Sequence, residues 1–404
     1  MDSSARITFV GDIMCEKPLQ QAFDRYGAAA FSSVFARTKD LFARADYVVG
    51  NLETVFGGGA YPYTRELYRF NTPDVFAGAL ADSGIRLVTT ATNHCLDCGI
   101  EGLERTVDVL DRYGISHTGT WKAPSDRRVF VAEVAGRRVA FLNYTYGTNV
   151  HETGVWLNEA DRYRVGLLRP QTARLQTYAG GRAGALRRAV SSALAKVTDE
   201  ETRIRLKRAL GMARNAVRVD DLTEEDLSPE YLGTILREMK EAKTKAGTVI
   251  VCLHCGGQFN PAPGGLTRYF ARWFAEHGAD AVVCHHAHVV QRAERIQGVP
   301  VAYCIGNYSI SPSSVYLLPE NRPDCSVALH LTLGESGNVG MSFSVLKTVE
   351  DARRVPVVWP VDRLYETLDG QGRAALTEDV RAAAARLTGR DCRDWDVAEE
   401  YALE

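Results

Sequence analysis

Five apolar, β-branched runs of this chain each end in a short polar segment that carries carboxylate, amide or imidazole groups. Each run has the length and composition of a buried strand. The segments are Gly11-Asp12, Asn51-Leu52-Glu53, Asn93-His94-Cys95-Leu96-Asp97, His254-Cys255-Gly256 and His285-His286-Ala287-His288. Open α/β sheets build their sites at the carboxyl ends of their strands, so we expect these segments to meet at one sheet edge.

Strand-like and helix-like segments alternate along the first half of the chain. The predicted strands are 6–11, 46–52, 85–91, 128–134, 138–145, 248–254, 279–285 and 299–305, followed by a closing hairpin of 326–333 and 341–346. The predicted helices are 31–44, 73–83, 101–113, 266–276 and 373–387. This order predicts an α/β fold with parallel strands joined by right-handed crossovers.

Length and composition restrict the class of protein. The chain has 404 residues with 45% hydrophobic and 24% charged residues, enough for a sizeable core in one or two domains. Its net charge of -2 favours neither nucleic acid nor an anionic membrane as a partner. It has no secretory signal pattern and no apolar run of the roughly 18 to 20 residues that span a bilayer. We therefore expect a soluble cytoplasmic protein, with homo-oligomerisation left open.

The nine cysteines allow two interpretations. Cys95 and Cys98 form one C-x-x-C pair and Cys252 and Cys255 another, a pattern that four-cysteine zinc sites use. Each pair, however, interleaves with a histidine segment, and on a strand Cys252 and Cys255 point to opposite faces. We favour buried free thiols over a zinc site.

The polar segments together offer a mixed set of oxygen and nitrogen ligands. Such a set suits Mn, Fe or Zn and is too rich in nitrogen for a dedicated calcium site. Two such ions about 3.5 to 4 Å apart can share a carboxylate and activate water, and Glu53 is placed to be that carboxylate. His286 and His288 are two residues apart and can face the same side. His94 need not be a ligand: Asp97 can hold its ring, which would leave His94 as a general acid.

The region from about 155 to 245 differs in composition and is rich in Arg, Ala and Leu. One interpretation is a helical cap whose arginines bind an anionic substrate. The other is a solvated or oligomer-forming helical insertion. Arg69, in an earlier loop, is a further candidate for binding the anion.

Several segments together resemble those of a known family. They are Val10-Gly11-Asp12-Ile13-Met14, Asn51-Leu52-Glu53, Thr92-Asn93-His94-x-x-Asp97-x-Gly99, Tyr144-Thr145-Tyr146-Gly147-Thr148-Asn149, His254-x-Gly256, His286-x-His288-Val289-x-Gln291 and Ile305-Gly306-Asn307-Tyr308. The chain resembles, over roughly residues 6–312, the CapA or poly-γ-glutamate capsule biosynthesis family, which has a calcineurin-like metallophosphoesterase fold.

The resemblance implies a four-layer α/β/β/α sandwich around two sheets. The domain would comprise residues 1–350 with the helical insertion at about 155–245, and a C-terminal helical extension, 351–404, would pack on it. The implied roles are Asp12 and His288 on one metal, Glu53 as the bridge, Asn93, His254 and His286 on the second metal, and His94 beside the substrate. The candidate substrate-binding residues are Arg69, Tyr146, Asn149, Gln258 and Asn307.

The chain departs from the family pattern at informative positions. Classical metallophosphoesterases have a histidine two residues after the first aspartate, where this chain has Met14. The family usually has glutamate where this chain has Gln258. Membrane-bound members of the family also carry an N-terminal anchor, a pattern that we do not expect in this chain. The first departure predicts a loosely held or absent first metal; the second puts the family's usual substrate in doubt.

Three functions remain open at this stage. The leading hypothesis is a metal-dependent hydrolase or transferase, with two divalent ions, that acts on a small anionic metabolite. The second is an enzyme that forms or cleaves amide bonds in poly-γ-glutamate-like or peptide natural-product metabolism. The third is a metal-free scaffold protein. Both chemistries use the same activated water or oxyanion clamp, so sequence does not separate them.

Overall fold

The computed structural model of the chain describes residues 4–171, 198–210, 217–334 and 337–403. Its strands, in chain order from β1 to β14, are Ala5–Ile13, Tyr47–Leu52, Leu87–Thr89, Ser116–Thr118, Phe130–Val134, Arg137–Thr145, Thr248–His254, Ala281–His285, Ala293–Ile296, Val299–Ala302, Cys325–Leu333, Val339–Glu350, Pro356–Pro360 and Tyr401–Leu403. Its α-helices are Lys17–Tyr26, Ala28–Phe35, Lys39–Phe42, Val75–Ser83, Gly99–Arg112, Val150–Thr153, Glu200–Ala209, Pro229–Lys245, Gly265–Glu276, Val361–Thr367 and Gly370–Thr388.

The strands form two sheets. The first has the order β13-β12-β11-β1-β2-β3-β4, with β14 paired to β12, and the second has the order β5-β6-β7-β8-β10-β9. Strands β1 to β4 run parallel, as do β6, β7, β8 and β10. Their carboxyl ends carry the polar segments, as the sequence predicted.

Three apolar clusters define the layers. One lies between the sheets, where Phe9 of β1 contacts Phe141 of β6 with ring centroids 6.5 Å apart. A second joins the outer face of the first sheet to helices that include Ala28–Phe35 and Val75–Ser83. A third joins the outer face of the second sheet to Pro229–Lys245 and Gly265–Glu276. The chain therefore has the predicted four-layer α/β/β/α architecture.

The prediction of parallel strands throughout the first half was wrong for one pair. Strands β5 and β6 are antiparallel. Only Ala135 and Gly136 connect them, with φ angles of 47° and 75°. So short a connection with two left-handed residues makes a hairpin, whereas a parallel pair needs a long crossover. The predicted helix 31–44 is also two helices, Ala28–Phe35 and Lys39–Phe42.

The last helix of the 155–245 region is part of the sandwich. Ile235, Met239 and Ala242 of Pro229–Lys245 recur at helical spacing and are buried against β6 and β7. The predicted insertion also includes 172–197 and 211–216, which lie outside the described residues. The C-terminal segment 351–404 contributes the edge strand β13 and the short strand β14 as well as helices, so it is built into the first sheet.

Two further expectations concern the cysteines and the membrane. All nine cysteines have free thiols and are buried, as predicted. Among the described helices, none combines the length and the apolar character that crossing a membrane requires.

Candidate metal centre

The ends of strands from both sheets bring five predicted ligands together. Asp12 is the penultimate residue of β1, Glu53 follows β2, His254 ends β7, and His286 and His288 follow β8. All five are buried, with at most 1% of their surface exposed. Burying charged and imidazole groups costs free energy unless hydrogen bonds or a bound ion compensate it. The partners of each of these five side chains therefore indicate whether the cluster binds an ion.

The carboxylate of Glu53 is the least satisfied group in the cluster. Neither of its oxygens accepts a hydrogen bond from any residue that the structure describes, although both are buried. Four histidine nitrogens surround Oε1: His254 Nε2 at 3.4 Å, His288 Nε2 at 3.6 Å, and His94 Nε2 and His286 Nδ1 at 3.9 Å. These distances are long for hydrogen bonds. They leave space between the groups for an ion.

The spacing of the donor atoms fits a shared divalent ion. Two ligands that each lie about 2.1 Å from one ion at tetrahedral or octahedral angles are roughly 3.0 to 3.4 Å apart. His254 Nε2 lies 3.1 Å from His286 Nδ1, within this range, and 2.7 Å from Asn93 Oδ1, slightly below it. Glu53 belongs to two trios whose donor atoms lie within 4.8 Å of one another, one with His286 and His288 and one with Asp12 and His254. A carboxylate common to both trios has the position of a bridge.

Asp12 is held differently from Glu53. Its Oδ1 accepts a hydrogen bond from Asn51 Nδ2 at 2.8 Å, and its Oδ2 accepts from the His286 backbone N–H at 3.3 Å and from His288 Nδ1 at 3.0 Å. Burial opposes its ionisation, but the hydrogen bond and charge of His288 outweigh burial and hold the pKa of Asp12 well below its usual value. Met14, the first residue after β1, is buried and donates its backbone N–H to Ser309 Oγ at 2.8 Å.

The histidines of the cluster divide into neutral and cationic rings. Burial lowers the pKa of His254 to about 3 and that of His286 to about 4, so each keeps a lone pair for a metal. Burial would also lower the pKa of His288, but the charge of Glu53 and the hydrogen bond to Asp12 raise it to about 9. A metal ion that binds His288 would therefore have to displace a proton from this ring.

Two of the proposed ligands, His286 and His288, have a strained backbone conformation. His286 and His288 have φ angles of 91° and 57°, in the left-handed region that residues other than glycine rarely adopt. Such strain concentrates at functional sites, where the surrounding structure compensates for it. Gly11 is required for a related reason, because a Cβ atom there would lie 2.0 Å from the Gly306 carbonyl oxygen.

His94 and Asp97 form a pair beside the cluster. His94 Nδ1 lies 2.7 Å from Asp97 Oδ2, which also accepts the Phe70 backbone N–H at 2.7 Å. Burial would lower the pKa of His94, but the charge and hydrogen bond of Asp97 raise it above its usual value. The ring of Phe70 lies 4.3 Å from that of His94, centroid to centroid, and fixes the orientation of His94 further.

The cluster opens into a cavity of about 810 Å³. Asn93, His94 and His286 line its inner end, and Tyr146, Asn149 and Gln258 line its walls. Asn149 Oδ1 accepts from Asn93 Nδ2 at 3.1 Å. The Tyr146 ring lies 4.8 Å from that of His286, centroid to centroid.

Arg69 and Asn307, two other predicted substrate contacts, do not line this cavity. Arg69 Nε donates to the Asp97 carbonyl oxygen at 2.9 Å, and Asn307 Nδ2 donates to the His288 carbonyl oxygen at 2.8 Å. Arg69 Nε and the amide nitrogen of Asn307 therefore support the loops that carry the site. Direct contact of these two residues with a substrate stays a prediction.

The wall contributed by the 155–245 region differs from the predicted cationic cap. Among the described residues that line the cavity, Arg169 is the one arginine, and it is paired with Asp226. The exposed Glu224 and Glu225 line the same wall. The arginines predicted to bind an anion from 172–197 and 211–216 lie outside the described residues.

Sequence reasoning did not assign a role to Asn51. Its Nδ2 lies 2.8 Å from Asp12 Oδ1 and 3.1 Å from His254 Nδ1, and its Oδ1 accepts from Thr89 Oγ1 at 2.8 Å. Asn51 thereby links a ligand from each sheet. The only signal in the sequence was its place two residues before Glu53 at the end of β2.

Comparison with known proteins gives the family. The family described as "Bacterial capsule synthesis protein PGA_cap" matches residues 6–312, about three quarters of the chain. The chain belongs to this family. The family resemblance seen in the sequence segments is confirmed, and the matched range contains every predicted ligand of the metal centre.

Relatives of this PGA_cap member are distant in sequence. It is 23% identical to the PGA biosynthesis protein CapA of Bacillus subtilis (strain 168), over 76% of this chain and 63% of that protein. It is 20% identical to the capsule biosynthesis protein CapA of Bacillus anthracis, over 75% of this chain and 59% of that protein. The chain thus spans less than two thirds of these relatives. The crystal structure of TT1561 of Thermus thermophilus is similar with a TM-score of 0.37 and 9% identity, over 83% of this chain and 97% of that one.

Proposed function

We propose that the chain is a metal-dependent hydrolase or transferase of the metallophosphoesterase type that acts on a small anionic metabolite. The observation that carries the proposal is the Glu53 carboxylate, buried and without a hydrogen bond among the described residues, within 3.9 Å of four histidine nitrogens. Burying a carboxylate without hydrogen bonds costs several kcal/mol unless an opposite charge compensates it, and in this proposal a divalent ion supplies that charge.

In this proposal the ligands form two sets that share Glu53. As the family resemblance implies, Asn93, His254 and His286 hold one ion, and Asp12 and His288 hold the other. This division differs from the two trios of nearby donor atoms, which place His286 with His288 and His254 with Asp12. The donor set of carboxylate, amide and imidazole groups fits Mn, Fe or Zn. When bound, the ions lower the pKa of water and stabilise charge on a reacting phosphoryl or carbonyl oxygen.

His94 would act on the substrate without binding metal. Its Nδ1 is occupied by Asp97 at 2.7 Å, and the raised pKa of His94 favours a protonated ring. Its Nε2 faces Glu53 at 3.9 Å, and His94 lines the cavity. Nε2 is therefore the atom that would donate a proton to a leaving group, with Asp97 holding the ring in place.

The cavity would admit the rest of the substrate. Its volume of about 810 Å³ is within the range for small-molecule sites. Tyr146 offers an aromatic face, and Asn149 and Gln258 offer amide groups to a polar metabolite. The anionic group of the substrate would lie at the metal centre, because the described wall residues Glu224 and Glu225 would repel it elsewhere.

The test is metal analysis combined with a substrate panel. Purified protein would be analysed for metals and assayed on a panel of phosphomonoesters and phosphodiesters with Mn or Zn. His286→Ala should lose bound metal and activity but keep the fold. His117→Ala is the matched control, since His117 lies in β4 and contacts Asp111, remote from the cluster. Wild-type metal content in His286→Ala, or a purified protein that binds no divalent ion, would contradict the proposal and favour the scaffold hypothesis.

The name of one relative favours a second candidate function. The Bacillus subtilis protein is a PGA biosynthesis protein. By this analogy the chain would form or cleave amide bonds of the γ-glutamyl kind with the same metal centre. Assaying γ-glutamyl amides beside the phosphoesters separates the two candidates: turnover of the amides alone would replace the phosphoryl assignment with the amide one.

A further inference from the structure

A second cavity, of about 320 Å³, lies beside the helix Lys17–Tyr26. Its other walls come from the segment 313–316, the helix Glu200–Ala209 and the turn that contains Arg353 and Arg354. None of the proposed metal ligands lines it. The cavity is thus lined by residues other than the proposed ligands, although His288 and Glu53 both influence the pKa of Glu16 in its lining.

Two polar atoms among the residues that line this cavity are buried without a partner. Glu16 is 2% exposed, and its Oε2 accepts from the Ser311 backbone N–H at 3.0 Å and from Ser314 Oγ at 2.7 Å. Its Oε1 and the hydroxyl oxygen of Tyr316 have no hydrogen-bond partner in the described part of the chain. Buried polar atoms are rarely left unpaired, so two in one cavity indicate a ligand that pairs with them.

Cations line the outer part of the same cavity. Lys17 pairs with Glu201, Arg353 with Asp351 and Arg354 with Glu350. Arg25, in the last turn of its helix, forms no ion pair with the residues that the structure describes. Arginine presents a planar set of donors that matches a carboxylate. The rim thus favours a negative group.

We propose that this cavity binds a small zwitterion of the α-amino acid type. Its ammonium group would donate to Glu16 Oε1 and to the Tyr316 hydroxyl. Its carboxylate would lie at the rim with Arg25 and Arg353. The proposal does not depend on the chemistry of the metal centre.

The ammonium group of the ligand is inferred from the buried Glu16 carboxylate, and its carboxylate is inferred from the cations that line the cavity. A simple anion would place like charge against the carboxylate of Glu16, and a simple amine would leave Arg25 without an ion-pair partner among the described residues. Burial raises the pKa of Glu16 to about 7, although Ser311 and Ser314 donate to Oε2, so the protein compensates its charge only in part. An ammonium group at Oε1 would provide the remaining compensation. The apolar Leu67 and Val315 in the lining leave room for a side chain.

Calorimetric titration of metal-free protein, dialysed free of chelator, tests the proposal. The probes are the protein-forming L-amino acids, then two analogues of the tightest binder, one without the ammonium and one without the carboxylate. We expect binding of at least one amino acid at or below about 10 mM. Each analogue should bind about tenfold more weakly or worse. Metal-free protein excludes binding through chelation of an ion.

Variants connect the binding to the cavity. Glu16→Gln keeps the acceptor for Ser311 and Ser314 but removes the charge, and it should weaken binding about tenfold. Tyr316→Phe removes only the hydroxyl and should also weaken binding, which keeps the test valid if Glu16→Gln fails to fold. Glu238→Gln, at a buried glutamate elsewhere, should bind normally. Three results would each overturn the proposal. The protein could bind no amino acid, it could bind the analogue without the ammonium group as tightly as the amino acid, or both cavity variants could keep the wild-type affinity.

Discussion

Replacement of Glu53 by glutamine tests the central feature of the metal centre. Glu53→Gln keeps the size of the side chain but removes the charge that four histidine nitrogens surround at 3.4 to 3.9 Å. The wild-type protein should be stabilised by added Mn or Zn, because ions that bind only the folded state shift the unfolding equilibrium. The variant should lose this stabilisation, since Glu53 is the ligand shared by both trios.

The size of the effect follows from linkage. An ion at 100 times its dissociation constant stabilises the folded state by about 2.7 kcal/mol. With an unfolding entropy of about 2.1 cal/mol/K per residue, a chain of 404 residues gains roughly 3 °C in Tm for each such ion. Loss of the shared carboxylate should weaken binding by about 100-fold or more, the upper end for ligand-supporting groups. At the same ion concentration the remaining shift would be about 0.5 °C.

Differential scanning calorimetry with and without metal measures both shifts. Glu238→Gln is the matched control: Glu238 is buried and accepts from the Tyr144 hydroxyl at 2.6 Å, in a helix that carries none of the ligands. This control should lose about 1 to 3 kcal/mol of baseline stability yet keep the metal-induced shift. A Glu53→Gln protein with the wild-type shift would refute the bridging position of Glu53.

Two further predictions concern the metal centre, and a third concerns Glu16 in the second cavity. His94→Ala should lower kcat about 100-fold or more at unchanged metal content; full activity would remove its role as proton donor. Titration of metal-free protein should give one tight and one weak ion, because Met14 adds no hard ligand to Asp12, His288 and the shared Glu53, whereas the other ion has four ligands; two equally tight sites would contradict this. Because burial raises the folded-state pKa of Glu16 to about 7, the stability that Glu16 contributes should fall as the pH rises from about 4.5 to 7. The stability difference between wild type and Glu16→Gln should therefore change by roughly 3 kcal/mol over this pH range in denaturant unfolding; a difference that does not change with pH would exclude Glu16 as its source.

The local sequence was sufficient to predict most strands and the polar segments that follow them. The apolar runs before Asp12, Glu53 and His254 are long, β-branched and followed by turn residues, and hydrophobic burial dictates their place in a sheet whatever the rest of the chain does. The carboxyl ends of parallel strands then have to meet at one edge, which brings the ligands together without knowledge of the tertiary contacts. The pairing of His94 with Asp97 was predictable for the same reason, since they are three residues apart on one loop.

Other features depend on contacts between segments far apart in the sequence, and only the tertiary structure decided them. The helix Pro229–Lys245 belongs to the outer layer because β6 and β7 bury its apolar face, a pairing that composition alone does not show. Arg69 and Asn307 turn towards backbone carbonyls that lie 28 and 19 residues away in sequence. That Glu53 and Glu16 have oxygen atoms without a hydrogen-bond partner among the described residues becomes visible only once those residues are placed in three dimensions. A sequence pattern records which groups a chain carries, but whether a buried group finds a partner is a property of the whole fold.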